Sequence, residues 1–191
     1  MGYSTAQQAN VGIARAIMRF DLTSIPAGTY IKSASLQPYL TGDIWSTGQS
    51  NLMAVTAFRI NQLWPGSPTW NNFANAYAES YGSATIGITF GRSNIDVTEL
   101  VRGWVNGVWP NYGIMLRGQE GGYINLKVFG SANGFPTHWP QLVVEYPDPM
   151  AAGSTVTVVI PTEPVEDSDS RSMFESWIPS AGEDVEYERT K

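Results

Sequence analysis

The sequence predicts an all-β fold, an antiparallel sandwich or jelly roll carrying one short helix and followed by an extended C-terminal tail. Three observations carry this. Short apolar-alternating runs recur at near-regular spacing, separated by turns rich in Gly, Pro and Asn. A single stretch, 93–118, has helical periodicity. Beyond residue 146 the composition turns polar and acidic.

In chain order, residues 14–22 (ARAIMRFDL) place Ala16, Met18, Phe20 and Leu22 on one face and Arg15, Arg19 and Asp21 on the other, a strand with one buried side. Asp21 is expected to pair with Arg19 or a neighbouring arginine. Pro26 and Gly28 turn the chain. Residues 31–40 form the next strand, expected near a sheet edge because Pro38 cannot donate to a ladder. A loop over 41–51 carries Trp45, a strand follows over 52–60, and a long loop over 61–76 carries Trp64, Trp70 and Phe73. Further strands are predicted over 84–90, 114–116, 123–129 and 142–146, with a loop over 131–141.

Within 93–118, Asp96 and Glu99 have capping-box spacing, and Leu100, Val101, Trp104 and Val105 make one apolar stripe. Gly107 after Asn106 is the expected stop. A helix this short is unstable alone, so it is predicted to plug one end of the sandwich, burying Trp104.

The blocks ARAIMRFDLTSIPAGTYIKSASLQPYL, WPGSPTWNN, IDVTELVRGWVNGVWPNYGIMLRG and FGSANG…PQLVVEY resemble the DNRLRE-domain family and related carbohydrate-binding modules. The resemblance covers roughly 12–146 and implies a jelly-roll β-sandwich of an extracellular, cell-surface or virion protein. It also implies structural roles for Arg19, Asp21, Trp70, Asn71, Asp96, Trp104, Asn106 and Gly107. The sequence departs from the pattern in two places. Barely a dozen residues precede the first strand, so the opening strand is missing, and Asn133 stands where the family commonly has an acid.

The chain divides at 146 into a β-sandwich domain (1–146) and an acidic tail (147–191). The tail holds ten of the seventeen acids and three of the eleven bases, a charge of −7, which leaves the body near +1. A near-neutral body with scattered bases gives no nucleic-acid footprint. No apolar run is long enough to span a bilayer, and no secretion signal stands in the chain as given. In the tail, 155–160 (TVTVVI) has strand composition, with Val156, Val158 and Ile160 on one face. An anchor over 173–179 carries Phe174 and Trp177. The strand is expected to fill the missing opening-strand slot, on its own body or on a neighbour's.

Chemistry is thin. There is no cysteine, and the single histidine, His138, has no acid or nucleophile nearby in sequence. The chain is expected not to be an enzyme and to need no cofactor. The nearest approach to a cation loop is GQEGG, 118–122, where carbonyls could hold a structural Ca²⁺. Trp70 and Trp104 are expected in the core. Trp45, Trp109, Tyr112 and Trp139, in loops or at strand ends, are the candidates for stacking on a sugar or for an interface. Two functions follow. One is a non-catalytic structural module of an exposed assembly, a virion decoration or fibre protein or a surface appendage subunit, whose tail ties it to other copies or to a scaffold. The alternative is a carbohydrate-binding module of a secreted or cell-surface polysaccharide-active protein.

Overall fold

The structure, a computed structural model, describes residues 2–3, 13–46 and 48–162. Among these described residues there are thirteen strands: β1 (Gly2–Tyr3), β2 (Ile13–Ala14), β3 (Ala16–Met18), β4 (Ser33–Gln37), β5 (Tyr39–Trp45), β6 (Met53–Ile60), β7 (Tyr77–Ile86), β8 (Gly91–Arg92), β9 (Ile95–Asp96), β10 (Ile114–Arg117), β11 (Asn125–Phe129), β12 (Gln141–Pro147) and β13 (Thr155–Pro161). Two α-helices, α1 (Trp70–Phe73) and α2 (Thr98–Val105), join them.

The result is an antiparallel jelly-roll sandwich. One layer is β3-β10-β6-β7. The other layer comprises two sheets, β2-β1-β11-β5-β8 and β13-β12-β4-β9, which the chain joins where β4 runs into β5 across Pro38. Consecutive strands pair as β1–β2, β6–β7 and β12–β13, while the other ladders, such as β10 with β3 and β6 or β11 with β5, join strands far apart in sequence. Side chains from both layers meet in one core: Met18, Val55, Ala57, Ile114 and Leu116 from the first, Leu36, Leu40, Ile95, Leu142 and Val144 from the second.

Pro38 does not mark an edge. It falls at the break between β4 and β5, where the pairing passes from β12 and β9 to β11 and β8. Its missing N–H therefore costs no ladder bond, and a strand expected at the rim lies inside the layer. The region expected as a loop over 41–51 is strand through Trp45, held in register against β11 with Asp43 opposite Lys127. The strand expected over 84–90 instead runs from Tyr77 to Ile86 along β6.

α2 closes one end of the sandwich, with Leu100, Val101, Trp104 and Val105 buried. The cap is displaced by a step from the expected box. Asp96 Oδ1 accepts the Thr98 backbone N–H (2.9 Å) and the Thr98 hydroxyl (2.6 Å), while Glu99 turns to Arg102 (2.5 Å). Gly107 has φ +69°, the left-handed stop that glycine adopts without a Cβ penalty. Inside the helix Gly103 is buried and carries the Trp109 ring directly on its Cα, where any side chain would collide with it.

The expected boundary at 146 falls inside a hairpin. β13 pairs with β12 over seven residues with no register shift, from Gln141↔Pro161 to Pro147↔Thr155. The packed body therefore runs on to Thr162, which bridges Phe20. The physical reason is the face that Val156, Val158 and Ile160 share: all three pack on the sandwich core, Ile160 to 6% exposure.

Candidate functional site

The four aromatics singled out from sequence do not converge. Trp45 lies at the end of β5 opposite Asn125. Trp109 rests on α2, edge-on to Tyr81 (5.6 Å between centroids) and under the Arg59 guanidinium (5.1 Å). Tyr112 packs in a small satellite cluster with Ile60, Phe73 and Met115 on the first layer's far face, and its carbonyl accepts the Trp64 indole N–H (2.6 Å). Trp139 donates its indole N–H to the Gly134 carbonyl (2.9 Å), and its own carbonyl takes Arg92 (2.8 Å). All four are half-buried supports of loops or strand ends.

Trp70, expected in the core, is 48% exposed. It opens the four-residue helix α1 and caps a stack on the outer side of the first layer. Arg15 lies between Trp70 (4.8 Å) and Tyr77 (5.2 Å), and Arg117 between Tyr77 (4.7 Å) and Phe58 (5.2 Å). Glu120 binds both cations, at 2.7 and 3.0 Å from Arg15 and 2.9 and 2.7 Å from Arg117. Burial alone would raise the Glu120 carboxyl. The hydrogen bonds from Arg117 and Arg15 overrule it and hold the group at about 2. The only carboxylate of GQEGG is thus committed to two guanidiniums. Sequence reasoning misses this stack because the ring, the cations and the acid lie on four separate segments; the near-absence of other acids around Arg15 and Arg117 is the sole hint.

A second polar cluster centres on two fully buried side chains, Lys127 and Asn125. Lys127 Nζ donates to the Asn51 carbonyl (2.7 Å) and lies 3.7 Å from Asp43 Oδ2. Asn125 holds the carbonyls of Ser50 (3.3 Å) and Leu52 (3.1 Å). Burial pushes Lys127 down and Asp43 up, and the charge of each partner opposes both shifts. The cluster staples the 48–52 segment to the sheet.

An open cleft of about 400 Å³ lies beside α2, lined by residues including Phe20, Asp21, Thr23, Trp104 and Asn111. Trp104 Nε1 and Asn111 Oδ1 are buried there without partners. Asp21 accepts the Thr23 backbone N–H (2.9 Å), a donor that the tight turn offers two residues away. His138 stacks on Tyr39 (4.4 Å) beneath Phe135 (6.0 Å). Among the described residues no group of three His, Cys, Asp or Glu stands where it could hold a metal.

β13 stands at one end of its strand order. It is seven residues long, uncharged, and rich in β-branched side chains. Among the described residues no strand pairs with its outer edge. Val156 and Val158 point into the core yet stay partly exposed, and Val159 on the other face is 52% exposed. Phe174 and Trp177 lie outside the described residues. No protein-family model matches this chain, and no curated protein is similar to it.

Proposed function

We propose that this chain is a non-catalytic structural module of an exposed assembly, a virion or cell-surface structure, which joins its neighbours through the region beyond residue 146. The observation that carries this reading is the β13 edge. Proteins commonly blunt an edge strand with charge, a bulge or a covering loop, because unpaired N–H and C=O groups recruit other strands. β13 has no charged residue and no bulge along its pairing with β12. Beyond it the sequence adds a strongly acidic stretch with the apolar anchor 173–179, a second point of attachment to another copy or to a scaffold. Kinship with DNRLRE-domain proteins, proposed on the four sequence blocks, fits the same role. Among the described residues the single histidine is stacked on Tyr39 and Glu120 is committed to two arginines, which supports reading the module as non-catalytic.

Light scattering after size exclusion tests the proposal. The full chain should self-associate or bind its scaffold, and a chain ending at Thr162 should remain folded but lose the part of that association due to the anchor. A full chain that stays monomeric at every concentration and binds no surface would defeat the reading. A carbohydrate-binding role is favoured by a different observation, the exposed Trp70 ring fixed from behind by Arg15. In that case a glycan array would give signals that Trp70→Ala abolishes.

A further inference from the structure

We propose that β13 pairs with β13 of a second copy, antiparallel about a twofold axis through Thr157, making one continuous sheet of the two sandwiches. This rests on the assembly reading and names its partner. The register follows from the ends of the strand. Pro161 has no N–H to give, and Thr162 is already bridged to Phe20, so the C-terminal end is unsuited to a new neighbour. Thr155 to Val159 remains. Centred on Thr157, it places Thr155 opposite Val159 of the second copy, Val156 opposite Val158, and Thr157 opposite itself.

Each of these pairs is chemically matched. Directly opposed residues of an antiparallel pair share a face. Val156 and Val158 both face the core and are both incompletely covered, so each would complete the burial of the other. Thr155, Thr157 and Val159 all lie on the outer face, where a threonine pair can hydrogen-bond across the axis. None of the five residues is ionisable, and Glu145, which stands opposite Thr157 one strand back on β12, lies 4.0 Å from the Lys32 ammonium. Antiparallel pairing also sends the two chains away from the contact at opposite ends. A five-residue strand spans about 17 Å, beyond the Debye length of about 8 Å at physiological salt, so the acidic residues that follow 162 in each copy are screened from one another. A parallel pairing would place them side by side.

The contact is small beside the roughly 1,600 Å² of a stable complex. It is therefore concentration-dependent in solution and becomes firm where an array repeats it.

The chain contains no cysteine, which makes the axis directly testable in the full-length protein. Thr157→Cys places one thiol opposite its symmetry mate, with Cβ atoms about 5 Å apart, and mild oxidant should yield a covalent dimer. Val159→Cys is the control: the two thiols stand roughly 13 Å apart, four strand residues out of register, and should cross-link at least tenfold more slowly. Thr157→Lys, outward-facing and harmless to the cis hairpin, should shift the sedimentation equilibrium to monomer without changing the melting temperature. Equal cross-linking of the two cysteine variants, or none from Thr157→Cys, overturns the axis. If the full chain still assembles in that case, the module reading survives and only its partner strand is wrong.

Discussion

Glu120 shows how much a single carboxylate can do on an exposed sheet face. Arg15, between β2 and β3, and Arg117 of β10 both reach it, and through them three aromatic rings and the α1 segment are fixed in one stack. Arg15 also reaches the Ala74 carbonyl, tying the 61–76 region to the sheet. The carboxyl sits at about 2 against an ordinary 4.5. A folded-state value below the unfolded one means that the ionised group stabilises the fold above about 4.5 and that this contribution is lost as pH falls towards about 2. Glu120→Gln should therefore lower stability at neutral pH and flatten its pH dependence across that window. Urea midpoints measured at pH 7, 4 and 2.5 check it: the gap between parent and variant should close on acidification, and a gap that stays constant would show that the carboxylate's charge is irrelevant. None of this was visible along the chain. Trp70 looks like a core residue by type, and only the arrival of Arg15 from another segment makes an exposed indole tolerable.

At the scale of elements, α2 is the best-read part of the sequence, because its determinants are local. The apolar stripe and Gly107 lie within ten residues of one another, and the structure keeps both. Elements set by distant partners were less legible. Residues 41–45 contain Gly42 and Asp43, which mark a turn by composition, yet Lys127 opposite Asp43 on β11 holds them in a strand. Pro38 was a true signal given the wrong meaning, since a proline suits a break between sheets as well as it suits a rim. Trp104 tests the plug itself. It is 7% exposed, and its indole N–H is buried without a partner. Trp104→Ala should cost about 3 kcal/mol, the low end for a large aromatic cavity, because the variant is also relieved of an unpaired donor. For a domain of this size that is a fall of roughly 6–12 °C in melting temperature. A variant melting within a degree or two of the parent would mean that α2 covers the end of the sandwich without supporting it.

For the whole molecule, what matters is where the fold ends. Composition places the boundary after Tyr146, where Pro147 and Pro149 begin a linker, but composition cannot register that Ile160 would find an apolar site across β12. Side-chain burial decides it: Ile160 is nearly enclosed, Val156 and Val158 pack on the same core, and Thr162 closes against Phe20. Two truncations separate the alternatives. A chain ending at Tyr146 loses β13, exposes the inner face of β12 at the sheet edge, and forfeits the burial of one isoleucine and much of two valines. At about 2 kcal/mol for a fully buried aliphatic side chain, less the entropy regained by the freed strand, the net loss is on the order of 3 kcal/mol. A chain ending at Thr162 keeps every contact described and should melt within a few degrees of the full-length protein. Calorimetry on the pair reads the difference directly. If the two truncations melt together, the hairpin contributes nothing to the body and β13 is an appendage held by its pairing with β12 alone. If only the shorter one falls, the strand is the sandwich's own edge, and whatever the chain joins through that edge it joins as a folded surface.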